Sequence, residues 1–117
     1  MSDCIFCKII AGDIPSDTLW EDENVIVFRD IDPKAPTHVL IVPKEHIVTF
    51  ADFKEGQGDI LLSMSKAARA VAEAEGVLDS GYRLIVNNGP DGGQEVLHLH
   101  MHLFGGRPIG PMIKRAE

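Results

Sequence analysis

Residues 97–104 of the chain read Leu-His-Leu-His-Met-His-Leu-Phe, so three of the five histidines of the protein fall within five positions. Apolar residues alternate with the histidines, and a period of two is typical of a β-strand with two different faces. We therefore predict that His98, His100 and His102 share one face. The opposite face is predicted to pack into the core with four apolar side chains: Leu97, Leu99, Met101 and Leu103. Three ionisable imidazoles in register favour a functional site over a merely solvated surface.

The composition limits the class of protein. With 117 residues, of which 44% are hydrophobic and 25% charged, the sequence predicts one globular domain over residues 1–117. We expect a cytoplasmic protein, because a secretory signal and an apolar run of about 18 residues are both lacking. A net charge of −7, with a basic cluster only at Lys114-Arg115, argues against nucleic acid as a partner.

The order of predicted elements favours an α+β domain with a mainly antiparallel sheet and with its helices gathered on one side. A short helix is predicted from Cys4 to Ile10 with Asp3 as its N-cap, and a longer one from about Asp59 to Glu75, capped by Asp59 and ended by Gly76. Besides the histidine stretch, strands are predicted near residues 18–20, 25–30, 37–43 and 81–87. Residues 37–43 are apolar apart from one histidine and one threonine, which predicts a central strand covered on both faces.

One metal ion cannot take all three histidines of a single straight strand. Neighbours on the same face of a strand lie about 6.6–6.8 Å apart at Cα, so the first and third histidines are about 13 Å apart. A Zn–N bond is only about 2.0–2.1 Å long, so two neighbours could converge on one ion but three could not. The row is therefore interpreted as a linear array in which each member has a different task.

The loop before the histidines points to the kind of chemistry. Imidazole can act as nucleophile, acid, base or oxyanion donor near neutral pH. Residues 87–93 are rich in glycine, which lets backbone N–H groups approach an anion closely. A Gly-Gly pair before a strand is usually only a turn. Beside a histidine row without a candidate serine or cysteine nucleophile, it favours phosphoryl or nucleotidyl transfer through an N–P bonded intermediate.

Residues 98–104 match the His-φ-His-φ-His-φ-φ motif of the histidine triad (HIT) family, in which φ is apolar. Nearly end to end, the chain resembles the nucleoside-phosphoramidate hydrolase (HINT) branch of that family. The stretches that carry the resemblance are residues 5–10, 28–31, 35–43, 92–96 and the Gly-Gly-Arg-Pro exit at 105–108. The resemblance implies a five-stranded antiparallel sheet with two helices, which dimerises into a ten-stranded sheet.

The same resemblance implies a role for each histidine of the site. His100 looks like the nucleophile that attacks the α-phosphorus and carries a nucleoside monophosphate, and His102 is similar to the residue that contacts the α-phosphate oxygens. His38 resembles the partner that completes the histidine network, and His98 resembles the position that supports and orients it. The implied reaction is hydrolysis of purine nucleoside 5′-phosphoramidates or related aminoacyl adenylates to AMP or GMP, without a cofactor for catalysis.

A substrate pocket is also implied by the resemblance. Apolar side chains suit the faces of a purine, and a carboxylate suits a ribose diol. The positions that match the nucleoside pocket are Phe6, Ile14, Phe28, Asp30 and Ile31. The positions that match the surroundings of the phosphate and the leaving group are Asn87, Gly93, Gln94, Glu95 and Val96. Glu95 stands where better-known relatives carry a hydroxyl residue, and the tail at 109–117 varies among relatives, so the preferred amine is not carried over.

Cys4 and Cys7 form a Cys-x-x-Cys pair, which by itself is a weak signal. Some histidine triad relatives hold a structural zinc with such a pair, a histidine at the place of His46 and the first triad histidine, here His98. The resemblance therefore implies a possible Cys2His2 zinc site. The other interpretation, two small packed cysteines and a surface histidine, stays open.

Two further functions remain open at the level of sequence. One is cleavage of dinucleoside polyphosphates, the reaction of a sister branch of the family. The other is a nucleotide-binding adaptor whose catalysis is vestigial. In each case we expect a purine nucleotide ligand, a homodimer and no membrane partner.

Overall fold

A five-stranded antiparallel sheet frames residues 3–113, which are the residues that this computed structural model describes. The strands are Thr18–Glu21 (β1), Val25–Arg29 (β2), Thr37–Pro43 (β3), Tyr82–Val86 (β4) and Met101–Gly105 (β5). The helices are Ile5–Ile10 (α1) and Gly58–Ala74 (α2), with a 3₁₀ turn at Phe50–Asp52. The strand order is β1-β2-β3-β5-β4, and the predicted fold class is confirmed. The basic pair of the tail lies outside the described residues.

β3 is buried along its whole length, as its apolar sequence predicts. Its side chains alternate between two cores: Val39 and Ile41 pack with α2, while Leu40 and Val42 pack on the other face with Phe6 of α1. The two helices therefore cover opposite faces of the sheet, and the prediction that they gather on one side is wrong. A strand that is apolar on both faces needs a cover on each, because an uncovered apolar face would remain in water.

Both helices occur as predicted, but their N-caps differ from the prediction. α1 is capped by Cys4 rather than Asp3, because Cys4 Sγ accepts the backbone N–H of Cys7 at 3.4 Å. α2 begins at Gly58, so Asp59 lies in its first turn, where its charge still suits the helix dipole. Among residues 3–113, no helix is long and apolar enough to cross a membrane.

The histidine stretch is a strand only from Met101 onward. The ladder between β3 and β5 ends at the pair Ile41–Met101. The N–H of Leu99 donates instead to the carbonyl oxygen of Ile47 at 2.6 Å. β3 itself ends at Pro43, which has no N–H with which to continue the ladder. The predicted strand is therefore too long at its beginning, and two of its three histidines lie before β5.

The alternation of burial nevertheless persists in most of the stretch. Leu99 and Leu103 are fully buried, as predicted, and Met101 is partly buried against the same core. Leu97 is 63% exposed, so its predicted place in the core is wrong. The reason is the same early departure from β3, which leaves Leu97 without a sheet face to pack on.

The register of β3 against β5 brings His38 and His102 next to each other. β3 pairs with β5 so that Leu40 lies opposite His102 and His38 lies opposite Phe104. Ile85 of β4 lies opposite His102 on the other side. These side chains share the face of the sheet that α2 leaves uncovered.

Candidate active site

A cavity of about 890 Å³ opens on the sheet face that bears His38 and His102. His100 lines the same cavity from the segment before β5. The cavity is also lined by every predicted substrate-binding residue except Gln94: Phe6, Ile14, Phe28, Asp30, Ile31, Asn87, Gly93, Glu95 and Val96. A space of this size is typical of a small-molecule site. Of the four histidines predicted for catalysis, His98 alone does not line it.

His100 is buried, and its ring is held by a backbone contact. Its Nδ1 lies 2.8 Å from the carbonyl oxygen of His98. A carbonyl oxygen only accepts, so Nδ1 carries the proton and Nε2 of the neutral ring keeps its lone pair. Phe6 packs edge-on against the ring with 5.0 Å between centroids. The ring of His100 is thereby fixed by its Nδ1, which leaves Nε2 as the nitrogen without a backbone partner in the described contacts.

A chain of hydrogen bonds fixes the other two imidazoles of the cavity. The backbone N–H of Lys34 donates to His38 Nδ1 at 3.1 Å, so Nδ1 holds the lone pair and Nε2 the proton. His38 Nε2 donates in turn to His102 Nδ1 at 2.9 Å. The proton of neutral His102 is therefore on Nε2. His102 retains one donor, Nε2–H, for a ligand.

Burial keeps both of these rings neutral. Burial is the main cause that lowers the pKa of His38 below its usual 6.5, against the opposing charge of Asp30. Burial also lowers the pKa of His102 to about 4, with further lowering by His100 and His38. Neutral rings agree with the hydrogen bonds, because a doubly protonated His38 would point Nδ1–H at the N–H of Lys34.

Asp30 lies beside this series of hydrogen bonds and lines the cavity. Its Oδ2 lies 3.4 Å from His38 Nε2, and its Oδ1 accepts the N–H of Asp32 at 2.8 Å. The potential ligand atoms of Asp30, His38 and His102 lie within 4.8 Å of one another, a spacing that could hold a metal ion. The hydrogen bonds oppose this use, because His38 Nε2 carries a proton and donates it to the lone pair of His102 Nδ1.

The glycine-rich loop is held in shape by close packing and by one glutamine. A Cβ at Gly92 would lie 2.5 Å from the carbonyl oxygen of Asn88, so no side chain fits there. Gln94 Oε1 accepts the N–H of Gly89 at 2.8 Å, and its Nε2 donates to the carbonyl oxygen of Val48 at 2.6 Å. Gln94 does not line the cavity, and its side-chain amide is engaged in shaping the loop, so a substrate contact of this residue stays a prediction.

His98 belongs to a second group of side chains. It is fully buried, and its Nε2 donates to the carbonyl oxygen of Pro43 at 2.8 Å, which leaves the lone pair on Nδ1. That Nδ1 lies 3.3 Å from Cys4 Sγ and 3.6 Å from Cys7 Sγ. Nδ1 of His46 lies 3.2 Å from Cys7 Sγ. The structure thus brings together the four residues predicted as metal ligands, here called the cysteine cluster.

The donor atoms of the cysteine cluster fit a tetrahedral zinc ion. With Zn–S bonds of about 2.3 Å and Zn–N bonds of about 2.0–2.1 Å, tetrahedral donors lie about 3.3–3.8 Å apart. The three sulfur–nitrogen distances run from 3.2 to 3.6 Å, and all four donors lie within 4.8 Å of one another. The bond from His98 to a backbone carbonyl is the outer support that metal-bound histidines usually have.

Eleven of the residues that line the cavity were not predicted from the sequence, and three of them, Phe104, Ile85 and Lys34, contact or pair with its histidines. Phe104 continues the period of two after the histidines, and its ring stacks on His102 at 5.6 Å with 8° between planes, so this signal was available. Ile85 requires knowledge that β4 pairs with β5. Lys34 acts on His38 through its backbone N–H, which any residue other than proline would provide, so residue type gives no signal.

Comparison with known proteins gives concordant matches. The family model described as HIT domain matches residues 11–109. The purine nucleoside phosphoramidase of Escherichia coli (strain K12) is 51% identical over 109 residues, which cover 93% of this chain and 92% of that protein. The 14 kDa zinc-binding protein of Zea mays is 48% identical over 110 residues, covering 92% and 85%. The structure of a HIT family hydrolase from Clostridium thermocellum matches with a TM-score of 0.92 at 50% identity, covering 97% and 99%.

Proposed function

This chain belongs to the HIT domain family, and we propose that it hydrolyses purine nucleoside 5′-phosphoramidates. The family and its HINT-like branch are those predicted from the histidine motif and from the resemblance along the rest of the chain. The observation that carries the proposal is the orientation of His100, whose Nδ1–H bond to a backbone carbonyl leaves the lone pair of Nε2 available in the cavity. The Escherichia coli relative that is 51% identical is a purine nucleoside phosphoramidase.

In the proposed reaction, the lone pair of His100 Nε2 attacks the α-phosphorus of the substrate. An N–P bond to the histidine forms, the P–N bond to the amine breaks, and the amine leaves with a proton taken from solvent. Water then attacks the phosphorus of the nucleotidyl-histidine and releases a proton to solvent, which replaces the one taken up by the amine. The second N–P bond breaks, the nucleoside monophosphate is released, and His100 returns to its initial form.

The other cavity residues are proposed to bind and stabilise. His102 Nε2–H would donate to a non-bridging oxygen of the α-phosphate, where negative charge develops in the transition state. His38 would act through His102, whose tautomer it fixes. The carboxylate of Asp30 suits the ribose hydroxyls, and Phe6 and Phe28, which pack edge-to-face at 5.6 Å, suit the purine.

Substitution of the proposed nucleophile tests this function. For His100→Ala we expect kcat on an adenosine phosphoramidate to fall by at least about 10³-fold, because the covalent route is lost. Mass spectrometry of the wild type mixed with a slow substrate should find one nucleoside monophosphoryl group per chain, and the variant should carry none. As a control, the variant should still bind AMP.

Other results would contradict the proposal. Unimpaired turnover by His100→Ala would remove the assigned nucleophile. Negligible turnover by the wild type, with AMP still bound, would favour the adaptor function. Faster cleavage of a diadenosine polyphosphate than of the phosphoramidate would favour the sister branch of the family.

We further propose that the cysteine cluster holds a structural zinc ion. The distances among its donors support this, and the relative from Zea mays is named a zinc-binding protein. Cys4 and Cys7 would bind as thiolates, with His46 and His98 as neutral imidazoles. Thiolate ligands must remain reduced, which agrees with a location in the cytoplasm.

We also propose that the single domain, residues 1–117, forms a homodimer through β4. β4 stands at the end of the strand order, and such an edge has backbone groups open to pairing. A hollow of about 450 Å³ beside it is lined by apolar residues that include Leu61, Leu78 and Leu84. Edge-to-edge pairing of two copies would give the ten-stranded sheet.

Sedimentation of the wild type should therefore give the mass of two chains. Leu84→Glu should shift the mass toward one chain, because it places a charge in the contact. Ile31→Glu is the matched control, since Ile31 is fully exposed in the loop that joins β2 to β3, neither of which pairs with β4, and its mass should remain that of the wild type. A monomeric wild type would contradict the dimer.

A further inference from the structure

The Gly-Gly-Arg sequence at residues 105–107, where β5 ends, is hydrogen-bonded to the loop that leads into β3. Arg107 Nη2 donates to the carbonyl oxygen of Lys34 at 2.8 Å. The backbone N–H of the same Lys34 donates to His38 Nδ1 at 3.1 Å. One residue of the loop therefore joins an exposed arginine to the histidines of the cavity.

We propose that the loop at residues 30–36 is a clamp that decides which ring nitrogens of His38 and His102 carry protons, and that Arg107 is the positioning residue that holds this clamp. The effect on turnover rests on the proposed hydrolase function. The effect on the ring nitrogens does not, because it concerns the protein without substrate.

Two arrangements of the histidine pair are possible in principle. In the one observed, Lys34 N–H bonds His38 Nδ1, His38 Nε2–H bonds His102 Nδ1, and His102 presents Nε2–H. In the reverse arrangement, His102 Nδ1–H would donate to His38 Nε2, and the proton of His38 would move to Nδ1. His102 would then present a lone pair at Nε2, which repels a phosphate oxygen.

The Lys34 N–H selects between these arrangements. A backbone N–H can only donate, so it is compatible with a lone pair on His38 Nδ1 and not with a proton there. The clamp therefore favours the arrangement that presents a donor at His102. Loss of this contact would leave the two arrangements closer in free energy and would allow both to be populated.

The loop owes part of its shape to bonds among its own residues and to one bond with β3. Asp30 Oδ1 accepts the N–H of Asp32 at 2.8 Å, and the N–H of Asp30 donates to the carbonyl oxygen of His38 at 3.0 Å. The ammonium of Lys34 donates to the carbonyl oxygen and to Oδ2 of Asp32, both at 2.9 Å. These bonds order the loop but do not attach it to β5.

The exit of β5 provides that attachment. Gly106 has a φ of +94°, and a Cβ there would lie 2.8 Å from Cβ of Pro36, so glycine is needed for this close approach. Arg107 follows directly, and its guanidinium bonds the Lys34 carbonyl. In this proposal, the Gly-Gly-Arg sequence supports the cavity histidines from outside the cavity by holding the loop in place.

Arg107→Ala tests the clamp. We expect ¹⁵N–¹H NMR of the ring nitrogens at pH 7 to show His38 Nδ1 and His102 Nδ1 without protons in the wild type, and averaged shifts in the variant. We expect kcat to fall about fivefold, the factor of one ordinary hydrogen bond, with KM little changed. Arg83→Ala is the matched control, because Arg83 Nη2 makes the same kind of bond to the Gly110 carbonyl at 2.8 Å. It should change neither the ring shifts nor kcat.

A second pair of variants tests the N–H itself. Lys34→Pro removes the donor and should give averaged ring shifts, whereas Lys34→Ala keeps it and should give those of the wild type. Wild-type ring shifts in Arg107→Ala would overturn the role of Arg107, and wild-type shifts in Lys34→Pro would overturn the clamp. Equal changes in Arg83→Ala and Arg107→Ala would also overturn it. Absence of phosphoramidase activity in the wild type would remove the proposed function but leave the NMR result decisive.

Discussion

The three histidines that line the cavity, His38, His100 and His102, form the row that can be compared with the cysteine cluster. The two regions use the same side chain in opposite ways. In the cluster, His98 aims the lone pair of Nδ1 at the two sulfurs and His46 Nδ1 lies 3.2 Å from Cys7 Sγ, so that the donor atoms converge on one point. In the row, His38 passes a hydrogen bond to His102, and His100 is held separately by a backbone carbonyl. The cluster is thus suited to hold a cation, and the row is suited to act on an anion.

The difference comes from the backbone group at the second nitrogen of each ring. A carbonyl oxygen at Pro43 places the proton of His98 on Nε2 and leaves Nδ1 for a metal. A backbone N–H at Lys34 instead occupies the lone pair of His38 Nδ1 and leaves Nε2–H as the donor to His102. His98 also joins the two regions, because its side chain is in the cluster while its carbonyl orients His100. For His38, His98 and His100, the main chain determines which ring nitrogen carries the proton.

Substitution of one cysteine is expected to affect the cysteine cluster strongly and to leave the hydrogen bonds of the row in place. For Cys7→Ser we expect zinc content to fall from near one per chain and the free energy of unfolding to fall by about 4 kcal/mol when free zinc is about 1,000 times its Kd. Urea unfolding with metal analysis measures both. The row should keep its hydrogen bonds, because His98 retains its bond to Pro43.

A chelator supplies the control for that variant. EDTA should lower the stability of the wild type by a similar amount and should add nothing to Cys7→Ser, since both remove the same ion. If the variant keeps its zinc, or if EDTA destabilises both proteins equally, then the cluster is not a zinc site of the kind proposed.

Acid provides a smaller test, and it acts on the row. Burial lowers the pKa of folded His102 to about 4, whereas the unfolded chain takes up this proton near 6.5. Between these values the unfolded chain binds more protons, so the free energy of unfolding falls as the pH falls from about 6.5 to about 4. We expect the loss between pH 7 and pH 5 to be smaller in His102→Asn than in the wild type by roughly 1 kcal/mol.

Urea unfolding at the two pH values measures this difference. Any zinc lost in acid affects both proteins and cancels in the comparison. An equal loss of stability in the variant and the wild type would show that His102 does not titrate in this way. Burial would then not be the cause that keeps the His102 ring neutral.

Part of this site could be predicted from the sequence because its signal is local. The period of two around His100 and His102 shows which side chains share a face, and the neighbouring glycines indicate an anion. The resemblance then supplied His38, which enters only through the pairing of β3 with β5. The cysteine cluster was likewise assembled by resemblance, since Cys4 and His98 are far apart in sequence.

The errors arise where tertiary contacts override local pattern. Leu97 fits the alternation but is exposed, because the chain has left β3 at that point. The bond from the Lys34 N–H to His38 could not be predicted from the sequence, because a backbone N–H is the same for nearly every residue type.

α1 has a consequence for the order in which the molecule forms. Cys4 and His98, which it brings to 3.3 Å, are 94 residues apart in the chain. Contacts of such long separation are slow to form, because the intervening chain must first be ordered. At synthesis rates of about 5–20 residues per second, the first helix waits roughly 5–20 s for its partner to be made. We therefore expect the cysteine cluster to complete folding rather than to initiate it.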